Sequence, residues 1–90
     1  MKGKEKELKN KEVVMRDMVK GISKVTIKEV KKGDFITYKM DYRRARIFEV
    51  LKIIDCETSI ILKLIDNDQG TFRSDCKAKN EIAYRLEVKA

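Results

Sequence analysis

The sequence predicts an α+β protein that is mainly β: an N-terminal amphipathic helix over residues 4–20, then a β unit over residues 23–90 forming a small antiparallel barrel or strongly curled sheet of roughly five to six strands. Two observations carry this. Lys4 to Lys20 contains no Gly or Pro and repeats apolar residues at helical spacing, whereas the chain beyond Gly21 turns to β-branched runs separated by turn signals. A third bounds the answer: 90 residues suffice for one hydrophobic core and leave little room for two, so residues 1–90 are read as a single domain.

In the helix, Leu8, Met15, Val19 and Ile22 fall on one face, broadened by Val14 and Met18, while Lys9, Arg16 and Lys20 fall elsewhere. Gly21 is the expected C-cap, with Lys20 suited to the negative end of the helix dipole. The stripe has two uses: to cover the β unit in cis, or to pair with the same helix of another subunit in a homodimer.

Val25, Ile27 and Val30 then form a short extended segment that stops at Gly33-Asp34. The next strand runs from Phe35 to Met40, with Ile36, Tyr38 and Met40 on one face. Asp41 to Arg44 is a charged connection. Ala45 to Ile54 is the longest β-like run, and because neither parity is purely apolar it reads as a strand covered on both sides or bent by a bulge. Asp55 to Thr58 is a turn, followed by a strand in which Ile60, Leu62 and Leu64 alternate. Asp66 to Gly70 is the strongest turn signal, because short polar side chains and glycine suit tight hairpin geometry. Thr71 to Arg73 is a brief strand with Phe72 inward, Ser74 to Asn80 a loop or single helical turn, and Ile82, Tyr84, Leu86 and Val88 one side of a closing strand.

Short strands joined by tight turns bury a common core by curling, since a flat sheet of this size exposes a second face and its edges. The order of turn, two long strands, short strand, one-turn connection and closing strand fits an SH3-like barrel and resembles, in outline, the small barrels of the KOW and Tudor type from Gly33 onward. An OB-fold fits less well, because no helix separates its third and fourth strands.

The hydrophobic fraction is 42% and the charged fraction 41%, so a core lies beneath a heavily ionised surface. The 22 Lys and Arg against 15 Asp and Glu give +7. Residues 1–45 hold 14 basic and 7 acidic side chains, whereas residues 46–90 hold 8 of each, so the positive excess belongs to the first half. Such asymmetry favours an anionic partner, with DNA or RNA first and an acidic protein surface second.

The densest candidate site is Lys39, Tyr42, Arg43, Arg44 and Arg46, which holds three of the six arginines in a chain that otherwise relies on lysine. Arginine grips phosphate through paired donors or stacks on a base, and tyrosine stacks or donates a hydrogen bond. Read without a ligand, the same run is a solvated hairpin tip. Lys24 and Lys28 share strand parity and extend the positive surface, although an ordinary exposed β face has the same pattern.

Catalysis finds no support. The chain has no histidine, no nucleophile beside a base and no phosphate-cradling glycine pattern, and the pairs Asp55/Glu57 and Asp66/Asp68 lie in expected turns. Cys56 and Cys76 without histidine cannot supply a four-ligand zinc site, and no cofactor is expected. With no apolar run near the roughly twenty residues that cross a bilayer, the chain is read as cytoplasmic, non-membrane, and with reduced thiols. The resulting expectation is a non-enzymatic, regulatory or accessory nucleic-acid-binding protein. The alternative is a protein-interaction module or inhibitor, of the kind a phage or other mobile element encodes, that binds an acidic protein surface.

Overall fold

In the computed structural model, which describes residues 18–88, the chain enters its first strand where the helix was expected to end. β1 is Val19–Thr26, followed by a 3-10 turn at Ile27–Glu29, then β2 (Phe35–Thr37), β3 (Phe48–Asp55), β4 (Ser59–Asp66), β5 (Thr71–Ala78) and β6 (Ile82–Val88). The helix predicted over residues 4–20 lies outside the described residues up to residue 17, and its C-terminal part is overturned: Val19, Lys20, Gly21 and Ile22 are strand. Gly21 caps nothing. Among the described residues only Gly33 and Gly70 have positive φ, as a left-handed helix cap would need. The helical spacing has a local cause. The register of β1 against β6 shifts between Val19 and Gly21, and such a bulge breaks the alternation that marks a strand, leaving an apolar spacing that mimics a helix.

The six strands form one antiparallel sheet in the order β1-β6-β2-β3-β4-β5. The expected closed SH3-like barrel is therefore wrong, because β1 and β5 lie at opposite edges and do not pair with each other. The sheet is open. It nevertheless curls, since Tyr38, just beyond β2, donates a hydrogen bond at 2.7 Å to Asp75 on β5, across the intervening β3 and β4.

Cross-strand neighbours place the core on the inner face: Val25 opposite Ala83, Ile36 opposite Phe48, Val50 opposite Leu64, and Ile53 opposite Leu62. Ile27 and Val30, on either side of Lys28 and Glu29, complete it from the end of β1. The 3-10 turn forms there because the Glu29 carboxylate accepts from both the N–H and the hydroxyl of Thr26, each at 2.8 Å, and these bonds hold its carboxyl below the usual range. Of the two readings of the long β run, covered on both sides or bent by a bulge, β3 shows the bulge, a register shift between Val50 and Lys52. The Asp66–Gly70 turn is also as expected, with Gly70 at φ +67° and the Asp66 carboxylate accepting from the N–H groups of Asp68 and Gln69.

Three further expectations are corrected. The strand predicted over Phe35–Met40 stops at Thr37, and Met40 is exposed. Ser74 to Ala78 continues β5 rather than forming a loop, and Phe72 is 76% exposed rather than inward. In β6 Ala83 is the core residue and Ile82 is exposed, so the core face of this strand begins at Ala83, while Leu86 is buried on the opposite face, across from Ile22 and Phe35.

Candidate phosphate-binding cleft

The β2–β3 connection is a turn built on Asp41, whose carbonyl accepts from the N–H groups of Arg44 and Ala45 at 3.2 and 3.0 Å. Ala45 and Ile47 are buried and anchor it, and Ile47 also accepts a hydrogen bond from the N–H of Asn67 in the β4–β5 turn. Alternation of buried Ala45 and Ile47 with exposed Arg44 and Arg46 is therefore what turns the two arginines outward.

They border a cleft of about 310 Å³. Tyr38 and Phe48 form aromatic walls with Thr37 buried behind them, and Lys39, Arg44 and Arg46 supply charge. The lining contains three cations and no carboxylate. Arg44 is open: its side chain is 91% exposed and Asp41 lies 3.9 Å from its Nε, beyond hydrogen-bond distance. Lys39 is exposed too.

Arg46 is different. Its Nη1 donates at 2.9 Å to Asp66 Oδ2, and this carboxylate is buried with its other oxygen occupied by the turn. A buried carboxylate needs such a partner, so Arg46 is fixed in place by the fold while its half-exposed side chain still faces the cleft. Tyr42 is half-buried and Arg43 exposed, with the guanidinium 6.0 Å from the Tyr42 ring centroid. Neither lines the cleft; both stand on the same turn.

Beside the cleft, two cations cover two aromatic faces. Arg73 lies 4.8 Å over Phe48 and Lys77 lies 4.6 Å over Tyr38, with the two ring centroids 5.7 Å apart. Asp75 ties this group together, accepting from Arg73 Nε at 2.9 Å and from the Tyr38 hydroxyl at 2.7 Å. Burial, followed by the hydrogen bond to Asp75, pushes the Tyr38 phenol well above the ordinary tyrosine range. The same carboxylate raises the Arg73 guanidinium.

The structure therefore gathers Lys39, Arg44 and Arg46 at one cleft and leaves Lys24 and Lys28 elsewhere. Lys24 is on β1, separated from Thr37 by Tyr84 of β6 in the same cross-strand row. Lys28 does not share strand parity with it, because the strand ends at Thr26 and Lys28 belongs to the 3-10 turn. Arg73, Lys77, Tyr38 and Phe48 were absent from the sequence-based site. Their signal was the alternation Arg73, Asp75, Lys77, legible once Ser74 to Ala78 is read as strand.

Both cysteines are free, and the described residues contain no metal-binding group of three or more His, Cys, Asp or Glu. No described helix is long and apolar enough to cross a membrane. Comparison of the chain with known protein families, curated proteins and solved structures gives no match.

Proposed function

We propose that the protein binds nucleic acid through its backbone phosphates at the cleft beside the β2–β3 connection, with Arg44 and Lys39 as the open phosphate contacts and Arg43 beside them. The observation that carries this reading is a cleft lining with three cations and no carboxylate. Arg46 is a preset cation, oriented by Asp66 and so requiring little ordering on contact. The cations covering Tyr38 and Phe48 favour phosphate over base stacking, because those ring faces are already engaged. Backbone contact of this kind is independent of base sequence and weakens steeply with salt.

The test is binding to duplex DNA, single-stranded DNA and RNA, each measured over a salt series. Arg44→Ala should weaken every sequence by a similar factor and lower the magnitude of the salt slope by about one unit, and the Arg43→Ala, Arg44→Ala double variant should weaken binding further. Lys52→Ala, an exposed lysine on β3 outside the cleft lining, is the control. No binding at roughly 50 mM salt, or an equal loss with the control, overturns the reading. The same arginines would then be tested for a stoichiometric complex with an acidic protein surface.

A further inference from the structure

The two edges of the sheet are unlike. β1 is bulged near its start, between Val19 and Gly21, and a bulge twists an edge away from further pairing. β5 instead pairs with β4 without any register shift from Ser59↔Ala78 to Asp66↔Thr71, and among the described residues its other side has no strand partner. It contains no proline, and Phe72, Ser74 and Cys76, which share one face, are all exposed, with Phe72 at 76% the most exposed large apolar residue described. An unbroken edge with an exposed phenyl ring is a template for adding a strand.

We propose that the occupant of this edge is a second copy of the chain, with β5 pairing antiparallel to its twin about a twofold axis at Ser74. Directly opposed residues share a sheet face, so a pairing that keeps the apolar faces continuous must oppose residues of equal parity. With the axis at Ser74, Phe72 lies opposite the second copy's Cys76, Arg73 opposite the second copy's Asp75, and Thr71 opposite the second copy's Lys77. Both polar and apolar positions match, and all of Thr71 to Lys77 is used. Moving the axis to Asp75 sets Asp75 against itself and Arg73 against Lys77, and moving it to Arg73 sets Arg73 against itself. Like charges placed directly opposite destabilise a strand pair.

The charges can serve both contacts. Arg73 reaches its own Asp75 through Nε, leaving Nη donors for a second carboxylate. Asp75 accepts one hydrogen bond at each oxygen, from Arg73 and Tyr38, and a carboxylate has about four acceptor sites. The proposal is independent of nucleic-acid binding.

The experiment combines solution mass with directed cross-linking of the full chain. Sedimentation should give twice the 10.5 kDa chain mass at high concentration, and Phe72→Lys should raise the dissociation constant at least ~tenfold. Because Phe72 is exposed, circular dichroism should show that variant still folded. In a Cys56→Ser, Cys76→Ser background, Ser74→Cys should form a disulfide-linked dimer under mild oxidation, since position 74 faces itself across the axis, whereas Phe72→Cys should cross-link far more slowly. A monomer throughout the concentration range overturns the proposal. So does a dimer that cross-links through position 72 as readily as through position 74.

Discussion

At the residue scale, Arg44 and Arg46 are neighbours in sequence with different roles. Arg44 contacts Asp41 only loosely and is almost wholly exposed, so Arg44→Ala should change stability by no more than about 0.5 kcal/mol while weakening phosphate binding. Arg46→Ala strands the buried Asp66 carboxylate and should cost about 2 kcal/mol, below the range for a fully buried pair because Arg46 is half-exposed. Urea denaturation of both variants checks the pair. Thr37 gives the opposite sign: it is fully buried, and its Oγ1 has no hydrogen-bond partner among the described residues. Thr37→Val keeps the shape and removes the orphan hydroxyl, so it should stabilise the protein by ~1 kcal/mol, read as a higher urea midpoint at an unchanged slope.

At the element scale, the contact between Tyr38 and Asp75 ties the end of β2 to β5 across β3 and β4, and it should be sensitive to alkali. Because the folded state raises the Tyr38 phenol above its ordinary value near 10, its contribution is fully present below that pH. Above it, the unfolded chain loses the proton first and stability falls as pH rises. Unfolding measured from neutral to strongly alkaline pH should show this decline in the native sequence and a smaller one in Tyr38→Phe. At neutral pH that substitution should cost about 1.5 kcal/mol, since the lost hydrogen bond is to a charged group.

The legibility of each element follows the same physics. β6 is legible from Ile82 onward because apolar and polar residues alternate in sequence, but its faces are not: Ala83 is small yet fully buried in the core, and Leu86 is buried on the other face. β5 is only partly legible, because an edge strand has a neighbour on one side only and tolerates Arg73, Ser74, Asp75 and Lys77, a run whose polarity matches a loop. The basic connection was visible from arginine density. The commitment of Arg46 was not, because its partner Asp66 is 20 residues away and the pairing arises only when β3 and β4 fold together.

At the scale of the whole molecule, β2 to β5 follow one another in the sheet in chain order, whereas β6 returns to lie between β1 and β2. The hairpins β3–β4 and β4–β5 close short loops, while β1–β6 and β2–β6 join distant parts of the chain. Native-state hydrogen exchange on Ala83→Gly, which thins the core contact of β6, should therefore accelerate exchange in β1 and β6 more than in β3 and β4.

The central position of β6 also orders events at the ribosome. Among the described residues β1 has β6 as its one strand neighbour and must wait for it, whereas β2 can pair with β3 first and gains β6 on its other side only later. The β3–β4–β5 meander can assemble beforehand, because its partners emerge consecutively. During that interval Val25 lacks its partner Ala83, so a nascent chain stalled before Ile82 has cleared the exit tunnel exposes an apolar side chain that the finished protein conceals.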